Sequence, residues 1–413
     1  MSSGKKAEAS KKHFQPSDLR GAGKLAIDAT IGLANLVETM HHNISRVPGI
    51  LGAATESPTS GITGFVYRSV RGVTRAVGGG IDIVLAQLAG LLNQEPSSNA
   101  REAVVAALNG VLGDHLVTSI NPLAIEMRLR RNGTALTLTR KALPLAIPQA
   151  TGRILVLVHG LCMSDLQWAR HGHDHGAALA ADPAFSIPFT TVYLHYNSGL
   201  HISVNGNAFA LLIEDLLKAW PVPVEELTII GHSMGGLVAR SACDIGEREG
   251  HAWLRKLSKI IFLGTPHAGA PLERGGNWVN MILDASPYTM AFARLAKIRS
   301  AGITDLRHAG LRDADWEQQD RFAKSTKLED LPLPTGVRCY AAAACIAEKS
   351  GALKARILGD GLVPLKSALG EHDDPARSLN IPKSRQWIGY EMNHMDLLDR
   401  KDVYRRVRKW LLE

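Results

Sequence analysis

The chain has 413 residues, 45% of them hydrophobic and 21% charged, which is an ordinary composition for a globular protein. Its formal net charge is +8, but the basic residues are scattered and lack the interleaved aromatic side chains of a nucleic-acid surface, so no nucleic-acid partner is expected. The four cysteines form no C-x-x-C pair and show no metal-ligand spacing, which favours reduced thiols and a cytoplasmic location. A run of about 18 apolar residues is absent, so a transmembrane helix is not expected.

The N-terminal part of the chain reads as a disordered basic tail at 1–22 followed by a helical region at 23–120. Within this region, segment 62–77 places valines on one helical face and three arginines on the opposite face. An apolar face of this kind must cover other apolar surface. Packing on the rest of the chain or on a second subunit is the favoured interpretation, and weak peripheral membrane contact through 62–77 is the alternative.

The pattern changes at residue 121, and segment 121–413 alternates apolar strands with helical stretches. A hairpin is predicted around Asn132 and Gly133, because this dipeptide favours a tight turn between two strands. The strands expected after it are 153–158, 189–194, 226–231, 259–264, 337–344 and 385–391. These features predict an α/β fold with a mostly parallel eight-stranded sheet, covered by helices on both faces. Helical sequence at about 273–330 interrupts the alternation and is expected to form a lid.

The stretch GHSMG, from Gly231 to Gly235, fits the pattern G-x-S-x-G of a nucleophile elbow. In that turn the serine backbone is strained, and glycines on either side allow close approach to neighbouring elements. A short apolar strand pattern precedes it and helical spacing follows it, as the elbow requires. The sequence therefore predicts that Ser233 is a catalytic nucleophile.

A serine nucleophile needs a base and an orienting acid, which in this arrangement follow the serine in the order acid, then histidine. Asp360 lies between glycines after the strand at 337–344, and His394 lies just before the closing helix. An Asp-Gly turn and a helix-capping histidine are the structural alternatives. Their joint occurrence in this order favours Asp360 as the acid and His394 as the base.

Two backbone N–H groups are needed to bind the oxyanion. One is expected from Met234, the residue after the nucleophile. The other is expected from Leu161, because Gly160 lets the chain turn after the strand at 153–158.

Other residues offer competing chemistry. His171, His173 and His175, with Asp174 among them, could bind zinc, but a pocket rim or a solvated helix start is preferred because no second ligand cluster is evident. Cys162 could serve as a thiol nucleophile, but beside a complete serine elbow a small buried residue is the favoured interpretation.

Five blocks occur in order along 124–413 and together carry a family resemblance: LVHGLCMSD, GHSMGGLVARSA, FLGTPHAGAPLERGGN, GDGLVPLKSALG and NHMDLL. The sequence resembles the α/β-hydrolase superfamily, and more narrowly its lipase and GPI-inositol-deacylase-like branch. The resemblance implies a serine hydrolase that acts on esters or thioesters through Ser233, Asp360 and His394, with no metal and no cofactor. The residues expected at the substrate pocket are His159, Gly160, His232 and His267.

The sequence therefore predicts a lipase-like serine esterase whose substrate is an ester or lipid ester. An acyltransferase would use the same three residues with an alcohol as the acceptor. A membrane-surface binding or scaffold protein with secondary hydrolase activity is the alternative from another class, and segment 62–77 is its main support. The expected location is cytoplasmic, with peripheral membrane association as the variant. Oligomeric state is left open.

Overall fold

A computed structural model describes residues 98–270, 300–317, 331–348 and 359–413. The predicted tail at 1–22 and most of the predicted helical region and lid lie outside these described residues. The chain divides into two compact units, one of residues 1–101 with 119–123, the other of residues 102–118 with 124–413. The described part of the first unit ends in a turn in which the Leu123 amide donates to Asn121 Oδ1 over 2.9 Å.

The second unit is built on an eight-stranded sheet in the order β2-β1-β4-β3-β5-β6-β7-β8. Its strands are β1 (Arg128–Arg131), β2 (Thr134–Ala135), β3 (Arg153–Val158), β4 (Thr190–His195), β5 (Glu226–His232), β6 (Leu257–Leu263), β7 (Arg338–Cys345) and β8 (Gln386–Tyr390). All neighbours from β4 through β8 pair in parallel, whereas β1 pairs antiparallel with both β2 and β4. The predicted mostly parallel eight-stranded sheet is confirmed, and the six later strands begin and end within two residues of their predicted bounds.

Residue type explains which strands lie at the centre of the sheet. β3, β5 and β6 carry Ile, Leu and Val on both faces and are buried along almost their whole length, as strands covered by helices on both sides must be. The predicted hairpin at the edge is also confirmed. Asn132 and Gly133 adopt positive φ angles of 51° and 74°, the conformation of a type I′ turn.

The helices cover both faces of the sheet. They are α1 (Ser98–Thr118), α2 (Leu143–Ala146), α3 (His175–Ala180), α4 (Ile202–Ala219), α5 (Met234–Glu249), α6 (Ala301–His308), α7 (Leu365–Ala368) and α8 (Lys401–Leu412). Closing helix α8 buries Val403, Val407 and Trp410, which fall on one face at the spacing of three and four residues expected of an amphipathic helix. Each such side chain contributes roughly 2 kcal/mol when it is fully buried.

Helix α1 is kinked at Leu112, whose φ and ψ of −125° and 15° are not helical, and from Glu102 onward it belongs to the same compact unit as the sheet. One side of α1 approaches other chain segments very closely. A Cβ on Gly113 would lie 1.9 Å from Asn197 Oδ1, and a Cβ on Gly199 would lie 2.1 Å from the Asn109 carbonyl oxygen. Small residues on both partners thus allow α1 to dock against the loop after β4.

Within the described residues, every helix is too short or too polar to cross a membrane.

Candidate active site

Ser233 occupies a sharp turn between β5 and α5. Its φ and ψ are 53° and −124°, a strained conformation that non-glycine residues rarely adopt. The flanking glycines make the turn possible, because a Cβ on Gly231 would lie 2.6 Å from Gly236 Cα and one on Gly235 would lie 2.3 Å from the Val158 carbonyl oxygen. The turn is held by the Ser233 amide, which donates to the Leu263 carbonyl over 2.8 Å. A strained serine between a strand and a helix is the backbone conformation that a nucleophile elbow requires.

The loop after β3 lies directly over this turn. A Cβ on Gly160 would lie 3.1 Å from Ser233 Cβ, so the loop backbone passes beside the serine. The next residues are fixed by the Cys162 amide, which donates to Ser198 Oγ over 3.0 Å while Cys162 takes a positive φ of 60°. The neighbouring Leu161 is buried in this anchored loop.

The amide of Met234 is the second group expected to bind the oxyanion. Met234 is the first residue of α5, and the first N–H groups of a helix have no acceptor within that helix. The positive end of the helix dipole is directed to the same place, which favours negative charge there.

Asp360 and His394 come together in the structure although 34 residues separate them. His394 Nδ1 donates to Asp360 Oδ2 over 2.6 Å, and both side chains are buried. The other carboxylate oxygen, Oδ1, accepts hydrogen bonds from the amides of Leu362 and Val363 at 2.9 and 2.8 Å. Because both oxygens are bound, the carboxylate is fixed in orientation and sets that of the imidazole.

The other ring nitrogen of His394, Nε2, has no hydrogen-bond partner among the described residues, Ser233 Oγ included. Because Nδ1 carries the proton of the hydrogen bond to Asp360, Nε2 of the neutral ring is the basic nitrogen, and it is buried. The ring lies against the end of β6, where a Cβ on Gly264 would meet His394 Cε1 at 2.9 Å. The Ser233 amide is bound to the carbonyl of the preceding residue, Leu263. The serine and the histidine therefore adjoin two consecutive residues, Leu263 at the end of β6 and Gly264 directly after it.

Two of the histidines expected at the substrate pocket are buried beneath the site. His232 donates from Nε2 to the His394 carbonyl over 3.3 Å, and burial lowers its pKa well below the usual value, with a further contribution from His394. His159 donates from Nδ1 to the Gly160 carbonyl over 2.9 Å, and burial lowers its pKa to about 3. Both rings are therefore neutral near pH 7. Through these hydrogen bonds, His232 holds the segment at His394 and His159 holds the loop after β3.

His267, the remaining pocket candidate, lies beyond the end of β6 beside Arg240. Its Nδ1 is 3.4 Å from Arg240 Nη1, and burial together with this arginine lowers its pKa well below the usual value. The described residues around His267 border a cavity that does not include Ser233 in its lining.

Cys162 has none of the features of a thiol nucleophile. It is fully buried, and burial raises its pKa to about 12, so the reactive thiolate is scarce near neutral pH.

The histidine-rich segment forms hydrogen bonds to the protein itself. Asp174 caps the start of α3 and accepts from the Tyr193 hydroxyl over 2.8 Å. His175 donates to the Leu397 carbonyl over 3.0 Å, and its other nitrogen is 2.8 Å from His173 Nε2. His171 binds Asp399. Within the described ranges, no group of three or more His, Cys, Asp or Glu side chains is arranged to hold a metal ion.

Sequence patterns gave no sign of the roles of Ser198 and Arg240. Ser198 lies between β4 and α4, and its bond to Cys162 joins residues 36 apart. Arg240 follows the elbow by seven residues and resembles any helical arginine in sequence.

The strand order, the flanking helices and the strained serine turn define an α/β-hydrolase fold. Residues 149–331, a little under half of the chain, match the family model of the PGAP1-like alpha/beta domain. The matched segment includes β3 through β6 and Ser233, whereas Asp360 and His394 lie beyond it. Fold and family match together support a serine hydrolase.

Comparison with solved structures finds similar arrangements among lipases. The mature lipase BlEst2 of Bacillus licheniformis is 14% identical, with 63% of this chain and 91% of that chain covered and a TM-score of 0.39. Lipase B of Aspergillus fumigatus is 10% identical, with 69% and 55% covered and a TM-score of 0.37. The phospholipase PlaB of Legionella pneumophila is 15% identical, with 53% and 46% covered and a TM-score of 0.36. A comparison with curated protein sequences finds no match.

Proposed function

We propose that this hydrolase cleaves carboxylic esters through an acyl-enzyme formed on Ser233. The observation that carries the proposal is the state of His394, whose Nδ1 is bound to Asp360 while its buried Nε2 has no partner. General-base activation requires that a hydroxyl come within hydrogen-bond reach of a basic nitrogen whose lone pair is free, and His394 Nε2, near the strained turn of Ser233, is such a nitrogen. The lipase-like sequence blocks and the PGAP1-like match favour an ester, with a lipid ester as one form of it.

In the first half of the reaction, Ser233 Oγ attacks the acyl carbonyl carbon as its proton passes to His394 Nε2. The tetrahedral oxyanion accepts hydrogen bonds from the amides of Leu161 and Met234. The bond to the alcohol oxygen then breaks, and the proton on His394 passes to that oxygen. The alcohol leaves, and the acyl group stays on the serine.

In the second half, His394 Nε2 takes a proton from water while the water oxygen attacks the acyl carbon. Collapse of the second tetrahedral intermediate breaks the bond to Ser233 Oγ, which regains its proton from His394. Asp360 remains ionised throughout and stabilises the imidazolium. An acyltransferase would differ only in using an alcohol in place of this water.

The test is hydrolysis of p-nitrophenyl esters of increasing chain length by wild type and by Ser233→Ala. Loss of the nucleophile should lower kcat by on the order of 10⁴-fold or more without changing the fold. Ser258→Ala is the matched control, because Ser258 lies near the opposite end of the sheet and its hydroxyl donates to Glu226. Turnover of the well-folded Ser233→Ala protein at the rate of Ser258→Ala would refute the assignment.

A fluorophosphonate probe gives a second, independent readout. It should label Ser233, because only an activated serine displaces the fluoride at a useful rate. Labelling of Cys162 instead, located by peptide mass spectrometry, would contradict the mechanism.

A further inference from the structure

A cavity of about 250 Å³ lies in the second unit. Its described lining comes from five parts of the chain: Arg240 on α5, His267 and Ala268 after β6, and the segments 309–311, 331–333 and 370–380. None of Ser233, Asp360 and His394 is among its described lining residues. The cavity is thus separate from the site of ester chemistry, and it is too small for a long acyl chain, since pockets for drug-sized ligands start at roughly 300 Å³.

Arg240 is a buried cation for which the described part of the chain supplies no acidic partner. Only 4% of its surface is exposed, and burial lowers its pKa to about 10, so it remains charged near neutral pH. Its Nη2 donates to the Leu331 carbonyl, while its Nε has no hydrogen-bond partner. Among the described residues, no carboxylate lies within ion-pair distance of this guanidinium.

The nearest acid on the same helix is already used. Asp244, one turn beyond Arg240, is bound by Arg312 at 2.6 and 3.1 Å and by Arg248 at 3.1 Å. A buried charge is strongly disfavoured unless an opposite charge or several hydrogen bonds compensate it. Asp244 therefore compensates the charge of Arg312, whereas the described residues place no carboxylate against Arg240.

His267 adds a second donor at the same place. Since a guanidinium can only donate, the contact of Arg240 Nη1 with His267 Nδ1 requires that Nδ1 be unprotonated. The proton of the neutral ring then sits on Nε2, a buried donor. Arg240 and His267 both line the cavity. Among the described residues no carboxylate lies against either side chain, so their surroundings suit an anion and not a cation.

We propose that Arg240 and His267 form a binding site for a small oxyanion, a phosphate or carboxylate group, in this cavity. Guanidinium N–H groups match the oxygen spacing of both groups. Arg377 also lines the cavity and adds positive charge. Glu371 carries the one negative charge among the described lining residues, and its carboxylate binds Lys383.

The test is binding of inorganic phosphate and of acetate to the full-length protein, by calorimetry and by thermal unfolding, with chloride at matched ionic strength as the reference. Wild type should bind one anion saturably, and its Tm should rise by roughly 3 °C at an anion concentration ten times Kd. Arg240→Met should abolish both effects. Arg248→Met is the matched control on the same helix, because its side chain is 60% exposed and lies one turn beyond Asp244, and it should bind as wild type does.

Absence of saturable binding to wild type, or an equal anion-dependent rise in Tm in Arg240→Met, would overturn the proposal. If Arg240→Met does not fold, Arg240→Lys keeps the charge without the planar fork and should weaken binding at least about tenfold. Kinetics then identify the source of the oxyanion. If phosphate competes with an ester that bears a terminal carboxylate, the cavity binds an anionic group of the substrate. If phosphate binds without changing kcat or KM, the cavity binds a separate anion. The binding assays need no hydrolysis, so they stand even if the proposed ester chemistry fails.

Discussion

At the scale of single residues, Asp360 has two separable tasks that one substitution can distinguish. Asp360→Asn can still accept the Leu362 and Val363 amides through Oδ1, so the turn should persist. Its NH₂ group would then face His394 Nδ1 and, by donating to it, place the ring proton on Nε2. We expect kcat for p-nitrophenyl acetate to fall by about 10⁴-fold, as in other triads with this change.

Circular dichroism and thermal unfolding of Asp360→Asn should match those of wild type. Activity within tenfold of wild type in a folded Asp360→Asn protein would show that Asp360 does not set the tautomer of His394.

Buried neutral histidines also determine how stability depends on pH. Burial lowers the pKa of His159 to about 3 and that of His175 to about 4, whereas an unfolded histidine titrates near about 6.5. Below that pH the unfolded chain binds more protons, so each histidine lowers the free energy of unfolding by about 1.4 kcal/mol per pH unit. The full stability is present above about pH 6.5 and is lost progressively as pH falls towards the folded-state pKa values.

Urea unfolding followed from about pH 7.5 to about pH 5 measures this slope. His175→Gln should reduce this slope by the contribution of about one bound proton, about 1.4 kcal/mol per pH unit, whatever its effect on stability at neutral pH. A wild-type free energy of unfolding that is flat over this range would contradict the prediction.

Residue patterns in the sequence were sufficient to place Ser233, Asp360 and His394 as candidates, because a serine elbow and its partners impose a fixed order along the chain. They could not reveal Ser198 or Arg240. Ser198 acts through a hydrogen bond to Cys162, a residue distant in sequence. Arg240 differs from other helical arginines only in that its buried Nε has no hydrogen-bond partner among the described residues. Interactions of this kind leave no periodicity or spacing in the sequence.

At the scale of secondary-structure elements, α1 packs against the loop after β3, which is expected to bind the oxyanion. A Cβ on Gly110 would lie 2.3 Å from Cys162 Sγ and 2.9 Å from the Cys162 backbone nitrogen. Cys162 is in turn the residue directly after Leu161. The close packing of α1 therefore bears on the position of the Leu161 amide.

Gly110→Ala should destabilise the protein by roughly 1–3 kcal/mol, as overpacking of a filled core does, and should lower kcat more than it changes KM. Thermal unfolding and ester kinetics measure the two effects. Val117→Ala, at a 44% exposed position of the same helix, is the control and should stay within about 0.5 kcal/mol of wild type. A Gly110→Ala protein with unchanged kcat and Tm would show that α1 does not constrain the loop.

The strands were predicted well because β3, β5 and β6 are continuous apolar runs, which helical coverage of both faces demands. The kink of α1 at Leu112 and the turns that follow it could not be predicted from the sequence. Directly after the kink, Gly113 packs closely on Asn197 in the loop after β4. Tertiary packing of this kind, rather than local preference, supplies most of the stability of a helix in a protein.

At the scale of the whole molecule, the N-terminal segment 62–77 lies outside the described residues and its role stays a prediction. We expect its apolar face to pack on protein, so wild type should not float strongly with anionic liposomes. If the segment binds membranes, flotation should be strong, weakened by salt, and lost in an Arg68/Arg71/Arg75→Glu variant.

Hydrolysis of a soluble short-chain ester serves as the control for that variant. Strong salt-sensitive flotation of wild type, lost in the variant while this hydrolysis persists, would favour the membrane-surface interpretation.

Alternation of strands and helices was enough to predict the fold class, since it dictates a parallel sheet with right-handed crossovers. The order in which β4 lies between β1 and β3 could not be read from the sequence. It depends on which apolar faces meet in space.

The packing of α1 also makes Cys162 an internal reporter of opening. Its thiol is fully buried against this helix and its pKa is raised to about 12, so alkylating reagents reach it only when α1 moves away. The rate of Cys162 modification, followed by mass spectrometry of its peptide, therefore measures how often the helix leaves the loop under native conditions. A lipid or ester analogue that slows this rate would do so by binding the closed form, which turns an unreactive cysteine into a sensor of ligand occupancy.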